Sequence, residues 1–311
     1  MKVFTDLSEI KEIKNPVVTT GSFDGVHVGH KVIIDRLNKI AKEIDGESVL
    51  ITFFPHPRKV LFPESVGKDL QFISSQHEKI LLLEEAGLQN LVVLKFTKEF
   101  SHTTSEEFVR NVLVKHIGAR KVIIGFNHYF GHNKEGDFDY LHKMGEELGF
   151  EVEEIPEQEI QHETVSSTKI RQALLEGYIQ KANAYLDHHY LVSGKLNRNL
   201  NPVPHPELNL YNVTINDDTK LVPPIGIYAV NVQVGDLCSK AMVIIQKKTP
   251  ATNLFPKQLS LYVFNSDDDF CNKDAVISFA KQMSEEIDYD SSDTFYKQIC
   301  LYKEQIEELI Y

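Results

Sequence analysis

The sequence predicts an α/β protein in which a doubly wound parallel sheet is followed by a β-rich second domain. Between Pro16 and about Tyr185, short runs rich in Val, Ile, Leu and Phe alternate with helical patterns, as in βαβ units. After Tyr190, β-rich runs follow one another and are separated by clusters of Pro, Asn and Asp. The chain has 311 residues, which is enough for two domains of roughly 100 to 200 residues each.

Five strands are predicted in the first half from their β-branched and aromatic content. They are expected at Val17–Thr20, Ser48–Phe54, Leu91–Leu94, Lys121–Ile124 and Glu151–Ile155. A helix between the first two is indicated by apolar residues at helical spacing from Ile33 to Ile44, with Asp45-Gly46 as its stop. Two capping boxes predict further helix starts, Ser75 with Glu78 and Thr104 with Glu107.

The second half is typical of an antiparallel barrel or sandwich. Its strands are expected at Leu208–Ile215, Gly226–Val234, Ala241–Ile245 and Gln258–Phe264. Two helices are predicted to close the chain, around Asp274–Glu286 and Thr294–Leu309. The change of pattern places the domain boundary near Leu186, which gives domains of residues 1–186 and 187–311.

The charge balance limits the class of partner. Lys and Arg number 33 against 45 Asp and Glu, so the formal net charge is -12. This excess disfavours nucleic-acid partners, whose phosphate backbones are bound by clusters of positive charge. The start of the sequence lacks a hydrophobic signal region, and no 18-residue apolar run occurs. We therefore expect a soluble cytoplasmic protein without a membrane partner.

A glycine- and histidine-rich turn carries the clearest chemical signal. Residues 21–30 read Gly-Ser-Phe-Asp-Gly-Val-His-Val-Gly-His and lie between the first strand and the first helix. A tight turn from strand to helix binds phosphate, because free backbone N–H groups and the positive end of the helix dipole point at the ligand. Gly21, Gly25 and Gly29 allow sharp turning and close approach of the backbone to a ligand.

His27 and His30 are three residues apart at the start of that helix. This spacing lets both imidazoles face one phosphate and donate hydrogen bonds to its oxygens. Donors fixed in advance stabilise the charge that develops during transfer at phosphorus. For an isolated pair of histidines, a structural helix cap or a metal site is the alternative interpretation.

The complete turn resembles the motif of the HxGH nucleotidyltransferases, and in particular of the bacterial bifunctional riboflavin kinase/FMN adenylyltransferase (FAD synthetase) family. The resemblance extends over nearly the whole chain. It implies a Rossmann-like nucleotidyltransferase domain followed by a six-stranded-type riboflavin kinase-like β-barrel with terminal helices. It also implies catalysis by His27 and His30, and ATP or phosphate contacts from Gly21, Phe23, Asp24 and Gly29.

Two further segments resemble flavin- and nucleotide-binding loops of that family. The first, residues 52–57, reads Thr-Phe-Phe-Pro-His-Pro, and the resemblance implies flavin contacts from Pro55, His56 and Pro57. The second, residues 125–131, implies a flavin contact from Asn127. Both follow predicted strands, and open α/β sheets bind ligands at the carboxyl ends of their strands. A rigid turn and a loop-stabilising amide are the alternative interpretations.

The segment Ser166-Ser167-Thr168-Lys169-Ile170-Arg171 resembles the family motif that contacts ATP phosphates. Its residue types also favour anion binding, because hydroxyls at a helix start and an arginine one turn later can hold a phosphate. An ordinary helix cap with a solvated arginine is the alternative.

The reaction that the resemblance implies transfers AMP from ATP to FMN and gives FAD and pyrophosphate. Arg171 would assist the two histidines, and Mg²⁺ would accompany ATP. The sequence contains no pattern for a dedicated metal site, and it gives no indication of oligomeric state.

The second domain departs from the family at two positions that concern the kinase reaction. The family's Pro-Thr-Ala-Asn corresponds here to Pro-Glu-Leu-Asn, which places Glu207 instead of threonine before Asn209. The family's Leu-Glu-x-His corresponds to residues 259–262, where Ser260 replaces the carboxylate. We therefore expect weak or absent riboflavin kinase activity. A fully bifunctional enzyme and a non-catalytic flavin- or nucleotide-binding protein are the alternatives.

Overall fold

The computed structural model describes residues 1–10, 12–65, 67–126, 129–156, 159–160, 163–198, 209–247, 257–265, 268–285 and 292–309. The chain folds into two units. The first contains residues 1–70 and 79–165, and the second contains residues 71–78 and 166–311. The short segment 71–78 thus belongs with the second unit, although it lies within the sequence of the first. The boundary of a separate domain near residue 186 stays a prediction.

A six-stranded parallel sheet forms the centre of the first unit, which confirms the predicted fold class. Its spatial order is β1-β4-β3-β2-β5-β6. The strands are β1 (Lys2–Phe4), β2 (Val17–Thr20), β3 (Ser48–Phe54), β4 (Asn90–Lys95), β5 (Lys121–Gly125) and β6 (Glu151–Ile155). The five predicted strands are all present, with ends within one residue of the prediction. The three-residue β1, which extends the sheet beyond β4, is too short to produce a periodic signal.

Helices pack on both faces of this sheet. The helices are α1 (Val28–Glu43), α2 (Pro57–Leu61), α3 (Gln76–Glu85), α4 (Ser105–Glu107), the π-helix Phe108–Ile117 that continues it, and α5 (Phe138–Leu148), with 3₁₀ turns at Leu7–Glu9, Phe100–His102 and His132–Lys134. Val17 of β2 packs in the cluster that contains α1, and its neighbour Val18 packs in the cluster that contains the π-helix and α5. Since successive strand side chains point to opposite faces, the sheet is doubly wound.

Both predicted capping boxes are present. Thr104 and Glu107 exchange side-chain and backbone hydrogen bonds at the start of α4. Ser75 and Glu78 do the same at the start of α3, at 2.8 and 3.2 Å. A short hairpin of β7 (Glu159–Ile160) and β8 (Glu163–Thr164) ends the first unit.

A closed antiparallel barrel forms the second unit, which decides between the barrel and the sandwich. Its order is β10-β13-β12-β11-β14-β9. The strands are β9 (Tyr190–Arg198), β10 (Asn209–Thr214), β11 (Gly226–Val234), β12 (Leu237–Lys247), β13 (Lys257–Val263) and β14 (Asp274–Ser284). Helices α6 (Ser167–Leu175) and α7 (Ile179–Leu186) precede the barrel, and α8 (Ser292–Leu309) follows it.

The prediction of one of the two terminal helices is wrong. The segment around Asp274–Glu286 forms strand β14, which pairs with β9 and β11 and closes the barrel. Its buried residues Ala275, Ile277 and Phe279 alternate with more exposed ones, which is the two-residue period of a strand. The other predicted helix is confirmed as α8, which buries Ile299 and Ile306 in a cluster with barrel residues.

Among the described residues, we find no helix that combines the length and the apolar character needed to span a bilayer.

Candidate active site

The histidine turn leaves the end of β2, in the interior of the parallel sheet. β2 pairs with β3 on one side and β5 on the other. The Gly21 amide donates to the Ile51 carbonyl at 3.0 Å, so the chain stays attached to β3 at the point where the turn begins. His27 is the N-cap residue of α1. The turn therefore lies at the carboxyl edge of the sheet and at the amino end of a 16-residue helix, as the sequence predicts for a phosphate site.

The backbone of the turn is strained. Phe23, Gly25 and Val26 have φ of 47°, 82° and 41°. This left-handed region costs an L-residue roughly 1–2 kcal/mol, and it is most unusual for a β-branched side chain such as valine. Gly25 adopts it freely, whereas Phe23 and Val26 need the surrounding structure to hold them there. Gly21 is required for a different reason, since a Cβ atom there would lie 2.9 Å from the Phe23 ring.

Three aromatic rings are stacked over the turn. The rings of His27 and His30 have centroids 3.7 Å apart with an interplanar angle of 18°. The Phe23 ring stacks on the other face of His30, at 4.3 Å and 22°. The structure thus brings the two predicted catalytic imidazoles together. The His27 side chain makes no capping hydrogen bond to α1, which disfavours the interpretation of a simple helix cap.

His30 is held in its neutral form. Burial lowers its pKa well below the usual 6.5, and the nearby His27 and Lys79 lower it further. Its Nδ1 atom is buried and has no hydrogen-bond partner among the described residues. We assign the ring proton to Nε2, because a buried N–H without an acceptor would be costly. A neutral imidazole of this tautomer presents one N–H donor, as contact with a phosphate oxygen requires.

Two predicted phosphate-binding residues are largely buried, Phe23 at 3% and Asp24 at 2% exposure. Phe23 supports the histidine pair through its ring, and its position in the stack was not foreseen from the sequence. The Asp24 carboxylate lies close enough to Lys79 to favour the charged form of that lysine. Gly29 is partly exposed in the first turn of α1.

The proline-rich loop follows β3, the strand beside β2. His56 is the N-cap residue of α2, and its Nδ1 accepts a hydrogen bond from the Arg58 amide at 3.1 Å. Pro57 occupies the first position of α2, and Pro55, after a cis peptide bond, is exposed. This cap agrees with the rigid-turn interpretation of His56.

Exposed aromatic side chains lie at or beyond the carboxyl ends of β3 and β5, the two strands that pair with β2. Phe54 ends β3 and is 55% exposed, and Phe126 follows β5 and is 51% exposed. Tyr129 is similarly exposed, while Asn127 lies outside the described residues. The sequence prediction missed this aromatic group. An aromatic residue directly after a buried strand, where the chain leaves the core, is the signal that could have identified it.

The predicted phosphate motif near residue 170 belongs to the second unit, whereas the histidine turn belongs to the first. Ser166 is the N-cap of α6 and accepts from the Lys169 amide at 3.4 Å. Ser167 is half-buried and Thr168 is exposed. The Arg171 Nε donates to the Gln71 carbonyl at 3.0 Å, so this guanidinium is anchored rather than fully solvated.

Comparison with known proteins identifies the family. The sequence profile described as FAD synthetase matches residues 9–169. The chain belongs to the FAD synthetase family. A second profile, described as riboflavin kinase, matches residues 206–310.

Curated relatives of this FAD synthetase family member are named bifunctional riboflavin kinase/FMN adenylyltransferase. The protein of Listeria monocytogenes is 31% identical over 71% of this chain and 68% of its own length. That of Buchnera aphidicola from Schizaphis graminum is 30% identical over 75% and 73%. That of Haemophilus influenzae is 26% identical over 91% and 90%. A crystal structure of a macrolide-efflux protein from Streptococcus pneumoniae shares the fold, with a TM-score of 0.86 and 24% identity over 98% of both chains.

The kinase-like barrel carries the substitutions noted in the sequence. Ser260 lies in β13, is 6% exposed, and pairs with Asn212 of β10 and Ile244 of β12. Asn209 begins β10 and is half-buried, while Glu207 lies outside the described residues. The strand that the resemblance assigns to the kinase base therefore presents a buried hydroxyl where the family has a carboxylate.

Among the described ranges, no three His, Cys, Asp or Glu side chains form a group that could hold a metal ion. Magnesium prefers oxygen ligands, and the phosphates of ATP supply such oxygens.

Proposed function

We propose that the protein is an FMN adenylyltransferase, which transfers AMP from ATP to FMN and yields FAD and pyrophosphate. The observation that carries this proposal is the stacked pair of His27 and His30 at the amino end of α1, directly after β2. The pair lies within the region that matches the FAD synthetase profile.

The transfer requires no covalent enzyme intermediate. A phosphate oxygen of FMN attacks the α-phosphorus of ATP and forms the new P–O bond. The bond from that phosphorus to the bridging oxygen of the β-phosphate breaks, and its electron pair leaves with pyrophosphate. Charge grows on the non-bridging oxygens of the α-phosphate, and fixed hydrogen-bond donors stabilise it.

The donors in this proposal are the imidazoles and the amino end of α1. His30 donates its Nε2–H as a neutral ring, and His27 acts beside it. Gly21, Asp24 and Gly29 surround the nucleotide, with Phe23 supporting the rings. Magnesium, when bound with ATP, neutralises part of the phosphate charge.

A second group of residues holds the remaining phosphates. We assign this part to Ser166, Ser167, Thr168 and Arg171, as the family resemblance implies. Hydroxyls in the first turn of α6 and a guanidinium one turn later are suited to phosphate oxygens.

The flavin ring is proposed to bind at the loops after β3 and β5. Pro55, His56, Pro57 and Asn127 are the contacts that the resemblance implies. The exposed rings of Phe54 and Phe126 support this placement, since aromatic faces stack well on a planar heterocycle.

The kinase half is proposed to be weak or inactive. A serine hydroxyl cannot accept a proton near neutral pH as a carboxylate does, and Ser260 is buried in β13. Glu207 would in addition repel an incoming phosphate. The match of residues 206–310 to the riboflavin kinase profile favours the alternative of a fully bifunctional enzyme.

One experiment separates these functions. Purified protein is incubated with ATP and magnesium and with either FMN or riboflavin, and the flavin products are identified by chromatography. FAD from FMN and no product from riboflavin is the expected result. FMN or FAD from riboflavin would establish the bifunctional enzyme. No product from either flavin would favour a non-catalytic flavin- or nucleotide-binding protein.

A further inference from the structure

Lys79 is a buried cation beside the histidine turn. It lies on α3, belongs to the first unit, and is only 7% exposed. Its Nζ donates to the Ser22 carbonyl at 2.8 Å. The Asp24 carboxylate favours the charged form of this ammonium. A buried ammonium is costly to keep, so its retention calls for a specific role.

The Ser22 carbonyl is the point at which the strained turn is anchored. Besides Lys79, the Thr52 hydroxyl donates to this oxygen, at a longer distance of 3.4 Å. Ser22 immediately precedes Phe23, the first of the three residues with positive φ. Because such a backbone persists only when its surroundings fix it, the bond from Lys79 restrains the entry to the turn, together with the Gly21–Ile51 backbone bond.

The backbone of the turn holds the stacked rings of Phe23, His30 and His27 in place. Phe23 stacks on His30 at 4.3 Å, and His30 stacks on His27 at 3.7 Å. A shift of the Ser22 carbonyl therefore moves Phe23 and withdraws the support on one side of the histidine pair. Misplacement of catalytic groups by about 1 Å can reduce a rate roughly 100-fold.

The charge of Lys79 also acts on the histidines. It lowers the pKa of His30, together with burial and His27, while burial lowers the pKa of Lys79 itself and Asp24 opposes that shift. The titratable groups that act on His30 are thus His27 at the N-cap of α1 and Lys79 on α3, and Asp24 in the turn acts on Lys79. Removal of the positive charge at Lys79 raises the pKa of His30.

We propose that Lys79 is a positioning residue for adenylyl transfer, which holds the turn of residues 21–26 through the Ser22 carbonyl and thereby keeps His30 and His27 stacked. The inference rests on the proposed function. It assigns Lys79 no contact with substrate.

The test compares Lys79→Met, which removes both charge and donor, with Lys79→Gln, which removes the charge but keeps an N–H. The matched control is Lys121→Met. Lys121 is also mostly buried, but it lies beside Val17 at the amino end of the sheet and pairs with Glu153 at 3.0 Å. FAD formation from FMN and ATP is measured first for the wild-type protein and then for each folded variant, between pH 5.5 and 9.

We expect Lys79→Met to lower kcat roughly 10- to 100-fold with KM for FMN and ATP within about twofold. The acid limb of its kcat/KM profile should move to higher pH, a change that general destabilisation does not produce. Lys79→Gln should share the shift of the acid limb and keep more of kcat, and Lys121→Met should match the wild type in both.

A folded Lys79→Met protein with wild-type kcat and an unmoved acid limb would overturn the proposal. Should Lys79→Met not fold, Lys79→Gln with an unmoved acid limb would do the same. A wild-type protein that makes no FAD would instead refute the proposed function, so the two failures are distinguishable.

Discussion

The buried ion pair of the second unit gives a prediction whose size follows from its contacts. The Lys220 Nζ lies 2.6 Å from the Glu78 Oε2, and the two side chains are 0% and 1% exposed. The ammonium also donates to the Ile73 carbonyl and lies 4.3 Å from the centre of the Tyr190 ring. The Glu78 carboxylate accepts from the backbone amides of Ser193, at 2.6 Å, and Ser75, at 2.8 Å.

Lys220→Met leaves the Glu78 carboxylate buried without its counter-ion. Such a loss typically costs 3–5 kcal/mol of unfolding free energy. We expect the lower end, about 3 kcal/mol, because two backbone N–H groups still solvate the carboxylate. For a unit of roughly 150 residues, this corresponds to a fall in Tm of about 6–12 °C. Differential scanning calorimetry of the full chain measures it.

Two comparisons make the test specific. Arg198→Met breaks the pair of Arg198 and Asp269 in the same unit, where the side chains are 63% and 57% exposed. Exposed pairs contribute at most about 1 kcal/mol, so this control should shift Tm by a few degrees at most. The double variant Glu78→Gln with Lys220→Met should recover at least half of the loss, since no buried charge remains. A Lys220→Met protein whose Tm lies within 2 °C of the wild type, on the order of 0.5 kcal/mol, would refute this reasoning.

Further expected outcomes concern the histidine turn. His30→Ala should retain the fold by circular dichroism but lose roughly 100- to 1000-fold in kcat for FAD formation, and near-normal turnover would contradict its role as a donor. The pKa of His30 lies well below 6.5, so its ring stays neutral down to mildly acidic pH. We therefore expect kcat/KM to remain level from pH 8 to pH 6.5. A decline in kcat/KM that is already centred near pH 7 would contradict the role of a neutral donor. Gly21→Ala should lower kcat, because the new Cβ atom would lie 2.9 Å from the Phe23 ring and push that ring off His30. An unchanged kcat in the folded variant would show that the stack is not needed.

The sequence predicted most of the fold because its strands carry strong local patterns. Strand β3 was predicted with its full bounds, since five of its seven residues are β-branched or aromatic and the run is flanked by Gly46-Glu47 and Pro55. Strand β14 was misread as a helix because its last residues, from Ala280 on, also suit a helix. Barrel closure, which depends on the distant partners β9 and β11, overrides that local preference.

The site residues that lie in a contiguous motif were predicted from the sequence. Those that reach the site only through three-dimensional packing were missed. His27 and His30 were found because their motif is contiguous. Lys79 lies about 50 residues later, in a helix whose sequence carries no such motif, and only the fold brings it to Ser22. The positive φ of Val26 could likewise not be predicted from the sequence, because β-branched residues such as valine rarely adopt the left-handed conformation.

The second unit is assembled from two pieces of chain that are made at different times. The segment 71–78 carries Glu78, whereas Lys220 follows 142 residues later, as the numbering of their ion pair gives. During synthesis the Glu78 carboxylate remains solvated until the barrel strands and Lys220 have been made, because a buried charge is tolerated only with its partner. A fragment that starts after residue 186 would lack this segment altogether. In such a fragment the buried Lys220 ammonium would lose the Glu78 carboxylate, so the barrel should be expressed with residues 71–78 supplied.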